Sequence, residues 1–165
     1  MNWIFENNIN TDLITPGRYN ITTDAKELAK IAFIEHRPEF AKTVRKGDFI
    51  IAGNNFGCGS SRETAVTALK ACGIKAVIAK SFARIFYRNC IDQGLLAIIA
   101  PTENINEKDE IKINISKQLV VNSSKNKEIK AVIPPLMVKL FEFGGIITYL
   151  KNNGLSSLKK LFSKP

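Results

Sequence analysis

Apolar residues recur along this chain in two rhythms, which change over at about Pro101. Before that point three short runs are apolar without a break: Phe49-Ile50-Ile51-Ala52, Ala76-Val77-Ile78-Ala79, and Leu95 to Ala100. Such runs predict strands buried on both faces. Helical patterns lie between them. The first runs from about Ser61 to Ala71, puts Ala65, Ala68, Leu69 and Cys72 on one face, and stops at Gly73. The second starts after Ser81 as its cap, continues to about Asp92, and stops at Gly94. This alternation predicts parallel strands joined by helical crossovers. Further upstream, residues 3–5 predict a short first strand and residues 7–23 a polar connection. Asp24 predicts an N-cap for a helix to about Phe33, with Glu27 at the capping-box position. Lys46-Gly47-Asp48 predicts the turn into Phe49.

Beyond Pro101 the rhythm becomes that of half-exposed strands. Glu110-Ile111-Lys112-Ile113-Asn114-Ile115 alternates, and Leu119–Val121 and Ile129–Ile133 follow around a turn at Ser123-Ser124-Lys125-Asn126. Pro134-Pro135 opens a short helix to about Phe143, Gly144-Gly145 interrupts it, and Ile146–Lys151 forms another. The whole predicts one α/β domain over residues 1–165, part parallel and part antiparallel, with residues 154–165 as a loosely held tail. No internal repeat is visible.

Composition narrows the class. A hydrophobic content of 45% is ordinary for a globular chain, and no apolar run is long enough to span a bilayer. Met1-Asn2-Trp3-Ile4-Phe5-Glu6 lacks a basic n-region and a cleavage pattern, which makes the cytoplasm the expected location. The net charge is +9, and it is uneven: 13 Lys/Arg against 10 Asp/Glu in residues 1–105, then 11 against 5 in residues 106–165. Lys159, Lys160 and Lys164, beside Leu158, Leu161 and Phe162, form a basic tail. That tail allows a nucleic-acid or membrane-surface role. A solvated terminus is the simpler reading, since lysine is abundant throughout and neither interleaved aromatics nor a recognised binding module accompanies it. The excess also favours acidic substrates. Three cysteines, Cys58, Cys72 and Cys90, form no C-x-x-C pair and are odd in number, as reduced thiols would be. They provide no set for a metal.

One segment carries chemistry: Gly53-Asn54-Asn55-Phe56-Gly57-Cys58-Gly59-Ser60-Ser61-Arg62-Glu63. Gly57 and Gly59 allow a tight turn and close approach to a bound group. The N–H groups opening the next helix favour an anion. Two hydroxyls and a guanidinium at that place suit a carboxylate or a phosphate. The same Ser60-Ser61-Arg62-Glu63 also has the spacing of a helix capping box. Neither a Walker loop nor a nucleophile elbow is present. The one histidine, His36, is remote in sequence.

This segment belongs to a longer pattern: Asn55 to Glu63, then Ala68-Leu69-Lys70, then Ala76 to Phe86, and Asn89, with Asn10-Thr11-Asp12 and Ile14-Thr15-Pro16-Gly17 upstream. The pattern resembles the small subunit of 3-isopropylmalate dehydratase, which corresponds to the mobile C-terminal domain of the aconitase family. The resemblance covers most of residues 1–150. It implies the swivelling β/β/α fold of that domain, with mixed parallel and antiparallel sheet and helices. It implies a hydro-lyase that moves a hydroxyl between adjacent carbons of a di- or tricarboxylate through an alkene. It also implies a separate large subunit holding a [4Fe–4S] cluster as Lewis acid, so that this chain binds no cofactor and works only with that partner.

By the same resemblance Ser60 is the base, Arg62 clamps a substrate carboxylate, and Ser61 is a neighbouring hydrogen-bonding group. The backbone of Gly57, Cys58 and Gly59 supports them. Asp12, with Thr11, orients site groups from behind, unless Asp12 only forms an Asx turn. Arg84 and Arg88, four apart, read as structural or subunit-facing along with Lys80. Thr64 stands where many relatives carry histidine. Substrate choice is attributed to the loop after Pro16-Gly17. Relatives acting on homoaconitate place an arginine near position 21, where this chain has Ile21. An apolar side chain fits an isopropyl group and leaves a third carboxylate unpaired. Arg18 is a competing cation, and homoaconitate, citramalate and 2,3-dimethylmalate are alternative substrates.

Overall fold

The computed structural model describes residues 1–162. Four parallel strands lie side by side in chain order: β1 (Asn2–Ile4), β2 (Phe49–Ala52), β3 (Ala76–Ala79) and β4 (Leu96–Ile99). Every residue of β2 and β3 is buried, as their unbroken apolar runs require. Between β1 and β2 come α1 (Thr11–Ile14), α2 (Ala25–Lys30) and α3 (Phe40–Thr43). Helices α4 (Glu63–Ala71) and α5 (Arg84–Gln93) are the two crossovers, and α2 packs on α4. The residues 7–23 expected to be a plain connection therefore contain α1 and a 3₁₀ turn at Gly17–Tyr19.

The second sheet is antiparallel, with order β5 (Ile111–Asn114), β6 (Leu119–Asn122), β7 (Lys127–Lys130). One isolated antiparallel bridge, Ile99 to Val132, connects the end of β4 to the chain leaving β7. Ile111, Val120 and Ile133 join the same buried cluster as the parallel strands. Helices α6 (Pro135–Phe143) and α7 (Ile146–Asn153) are separated by Gly144 and Gly145, both with positive φ. The segment expected as a loose tail forms a 3₁₀ turn (Leu155–Ser157) and α8 (Leu158–Phe162), and Leu161 packs with Leu140 and Tyr149. Lys164 and the side chains of Lys160 and Phe162 lie outside the described residues.

Cap chemistry sets several boundaries. Asp24 accepts from the N–H groups of Lys26 and Glu27 and starts α2 as expected. Asp48 ties the turn before β2: it accepts from the Arg45 N–H, the Trp3 indole and the amino terminus. Burial alone would push this carboxyl up, but the three donors outweigh burial and hold it below the ordinary aspartate value. Lys70 closes two helix ends at once. Its Nζ donates at 2.6 Å to the carbonyls of Gln93, ending α5, and of Gly144, just beyond α6. Lys70→Met removes both bonds but keeps the stem. We expect a loss of about 1 kcal/mol, discounted for the exposure of the ammonium, and a Tm lower by roughly 2–4 °C. Thermal melts of the two proteins measure this.

Candidate active site

Beyond the carboxyl ends of β1, β2 and β3 the chain continues in three adjacent loops that pair with one another. Asn8 N–H donates to the Asn54 carbonyl, Gly57 N–H to Ile9, and Thr11 N–H to Cys58. On the other side Phe56 N–H donates to Ser81, and Ala83 N–H to Phe56. The glycine loop is thus held between two neighbours at the end of a parallel sheet where ligands commonly bind. Asn8 and Asn55, both at φ 59°, turn the loop after β1 and the glycine loop after β2. Their side chains hydrogen-bond to each other.

Gly57 lies directly on Phe86, and a Cβ there would stand 2.1 Å from the ring's Cγ. Phe56, Phe82 and Phe86 form the aromatic floor below. The helix after the loop starts two residues later than the sequence predicts. Its N-cap is Arg62, and no side chain caps it. The capping box is therefore not formed: Ser60 and Ser61 precede the helix, are exposed, and are free for another use. Ser81 does not cap α5 either. That helix starts at Arg84 from Ala83, and the Ser81 hydroxyl instead accepts from the Asn55 N–H, fixing the glycine loop. The S-x-x-E spacing and the serine before the helix suggest caps, but the chain stays extended through Arg62 and through Ala83, so each helix begins about two residues later.

The short helix α1 positions the remaining groups. The Asn10 side chain accepts from the Leu13 N–H and caps it. Thr11 is buried, and its Oγ1 lies 3.0 Å from both the carbonyl oxygen and the Oγ of Ser60. Asp12, the next residue, accepts a hydrogen bond from Arg62 Nη1, which also donates to the Thr15 carbonyl at 3.0 Å. So Asp12 meets Arg62 across a gap of 50 residues, as more than a local turn. Among the described residues no acceptor is seen for Nη2 or Nε of Arg62. Gly17 leaves space for this fork, because a Cβ there would stand 3.2 Å from Nη2. The role of Gly17 and of the Thr15 carbonyl carries no mark in the sequence beyond the Thr-Pro-Gly turn.

Two further candidates lie apart from this group. Arg18 points to Glu35 and lies over the Tyr19 ring, largely exposed. Ile21 is 89% exposed and lines an open hollow with Asn20, Thr22, Thr23 and Thr64. Asn20 Oδ1 and Thr64 Oγ1 in that hollow are buried without a hydrogen-bond partner. Thr64 sits two residues beyond Arg62, so the hollow adjoins the serine–arginine segment. Arg84 and Arg88 are exposed, and Arg88 is 3.7 Å from Asp92 on its own helix. Lys80 pairs with Glu103.

The family model for the aconitase C-terminal domain matches residues 1–103. The chain belongs to the aconitase C-terminal domain family. It is 51% identical over 154 residues to 3-isopropylmalate dehydratase small subunit 2 of Archaeoglobus fulgidus, covering 92% of this chain and 93% of that one. It is 50% identical over 157 residues to the methanogen homoaconitase small subunit of Methanocaldococcus jannaschii, covering 94% and 92%. A crystal structure of 3-isopropylmalate dehydratase from Methanocaldococcus jannaschii superposes with a TM-score of 0.88 at 49% identity, covering 96% of each chain. The fold implied by the glycine-loop pattern is the fold found.

The cysteines of this aconitase C-terminal domain do not fit a [4Fe–4S] cluster, which needs converging thiolates. Cys90 is fully buried and burial pushes its thiol well up. Burial pushes the Cys72 thiol to about 12. Only Cys58 is in the loop. Among the described residues no three His, Cys, Asp or Glu side chains converge on one point. No described helix is long and apolar enough to cross a membrane.

Proposed function

We propose that this chain is the small subunit of a hydro-lyase that interconverts 2-isopropylmalate and 3-isopropylmalate in leucine biosynthesis, in the cytoplasm, and that it acts only when joined to a large subunit. The observation that carries this reading is the Ser60–Arg62 pair. The helix cap that could have explained the two serines is absent, and Arg62 is anchored through Nη1 while no acceptor among the described residues takes Nη2 or Nε. Arg62 Nη2 and Nε suit a carboxylate in two-pronged fashion. With the carboxylate held there, Ser60 Oγ, as the alkoxide, takes the proton from the adjacent carbon and becomes the hydroxyl, while the hydroxyl on the next carbon departs as hydroxide to leave the alkene. Re-addition with the opposite regiochemistry completes the isomerisation. The cluster attributed to the large subunit would supply the Lewis acid for hydroxide. This chain contributes the base, the carboxylate clamp and the loop that holds both.

Overall identity does not choose the substrate, since relatives named for isopropylmalate and for homoaconitate are 51% and 50% identical. Ile21 does favour one. It presents an apolar side chain beside Thr64, without a cation for a third carboxylate, and Arg18 is occupied by Glu35. Ile21→Arg should lower isopropylmalate turnover and raise any trace of homoaconitate turnover, shifting the ratio of kcat/KM at least ~10-fold. Both substrates measured with one large subunit decide this. An unchanged ratio returns substrate choice to Arg18 or the large subunit. The reading as a whole is tested by mixing the purified chain with a cluster-loaded large subunit of an isopropylmalate dehydratase. Isomerase activity present in the mixture and in neither component supports it. No activity with any such subunit ends it.

A further inference from the structure

Thr11 stands where it can decide which way the proton of Ser60 points. Its hydroxyl has one hydrogen and two acceptors at equal range, the carbonyl oxygen and the Oγ of Ser60, each 3.0 Å away. Thr11 is only 1% exposed, so no bulk water competes for that hydrogen. Its backbone is fixed as well. The N–H donates to the Cys58 carbonyl at 2.9 Å and the carbonyl accepts from Thr15 N–H at 2.9 Å. The side chain can therefore rotate its hydrogen but not leave.

Two arrangements follow from this geometry. In one, Thr11 donates to the Ser60 carbonyl and accepts from the Ser60 hydroxyl, which holds the serine proton turned away from any ligand. In the other, Thr11 donates to Ser60 Oγ, and a lone pair of that oxygen faces outward. A deprotonated Ser60 can only be met by the second, because it has no hydrogen to give. We infer that Thr11 is a positioning residue for Ser60, turning its single hydrogen from the Ser60 carbonyl to the Ser60 oxygen when that oxygen gives its proton to the alkene carbon in the re-addition step. The carbonyl released in this turn is on an exposed residue and can be met by water. The inference rests on the reading of Ser60 as the base. It adds what stabilises that base from the side away from substrate. A hydrogen bond to the charged form favours that form, and a buried donor does so more strongly than water would.

The experiment compares Thr11→Val, which keeps the shape and removes the hydroxyl, with Thr11→Ser, which keeps the hydroxyl. Each is assembled with the same cluster-loaded large subunit, and kcat and KM are measured across pH. The expected result for Thr11→Val is a kcat lower by about 10²-fold, a KM changed little, and a rise of kcat with pH displaced to higher pH. Thr11→Ser should recover most of the rate and the original profile. If Thr11→Val fails to fold, Thr11→Ala carries the same expectation. A kcat and pH profile like wild type in Thr11→Val overturns the inference. So does an equal loss in both variants with the profile unmoved, because that marks packing alone. Ser60→Ala, run beside them, separates the two levels. If it is inactive while Thr11→Val is normal, only the role of Thr11 fails. If Ser60→Ala is as fast as wild type, the base assignment itself fails.

Discussion

Ser60→Ala should yield a folded chain that still joins the large subunit and turns over ~10²–10⁴-fold more slowly, the usual cost of removing a general base. Stability should hardly change. Ser60 is exposed, it caps no helix, and among the described residues its side chain hydrogen-bonds only to the Thr11 hydroxyl, which keeps the Ser60 carbonyl as an acceptor. This separates the two explanations of the Ser-Ser-Arg-Glu segment. Had the serine been a helix cap, its removal would cost roughly 1 kcal/mol of stability and no chemistry. A melting temperature within 2 °C of wild type, together with the loss of turnover, is the expected pair of measurements. Near-normal kcat in the assembled enzyme removes Ser60 from the role of base.

The parts of the fold that could be read from the sequence are those whose signal is local. Strands β2, β3 and β4 are visible because burial on both faces makes them apolar at every position. Helix α2 is visible because its Asp24 cap makes its own bonds within three residues. Helix α1 was not visible. It has four residues, and Thr11 and Asp12 are held mainly by Cys58, Ser60 and Arg62. The sequence places the starts of α4 and α5 early, because a serine ahead of an apolar helix has the composition of a cap, whichever group it finally meets.

The candidate site divides in the same way. Ser60, Ser61 and Arg62 are adjacent in sequence, so their cluster was legible. What closes it is not local. Arg62 reaches Asp12 and the Thr15 carbonyl over about fifty residues, and Gly17 matters only for the volume that it leaves to Arg62. Arg18, a plausible cation on sequence grounds, is drawn to Glu35 by a contact that spacing does not reveal. Ile21 keeps its candidacy because 89% of its surface lies open beside Thr64, which suits a side chain that another molecule covers.

Gly57→Ala should be the most damaging small substitution in the loop, and the comparison with Gly59→Ala shows why. Both glycines have left-handed backbone, φ +77° and +86°, so an alanine at either place costs ~1–2 kcal/mol in conformational strain. They differ in surroundings. A Cβ on Gly59 would meet nothing nearer than 3.4 Å, the Cβ of Asn10. A Cβ on Gly57 would lie 2.1 Å from Cγ and 2.4 Å from Cβ of Phe86, and no rotamer of Phe86 moves that Cβ off the α5 backbone. Phe86 is in turn fixed by Phe56 at 5.3 Å. Overpacking of this kind adds ~1–3 kcal/mol or moves the loop. Gly57→Ala should therefore lose ~3 kcal/mol or more and melt roughly 6–12 °C lower. Gly59→Ala should lose about half as much. Any shift of the loop also carries Ser60 away from Thr11, so the residual folded Gly57→Ala should show a deeper loss of turnover than its stability explains. Denaturant titrations of the free subunit and turnover of the assembled enzyme test the two effects separately. Equal melting temperatures for both variants would mean that backbone strain alone, and not the contact with Phe86, sets the cost.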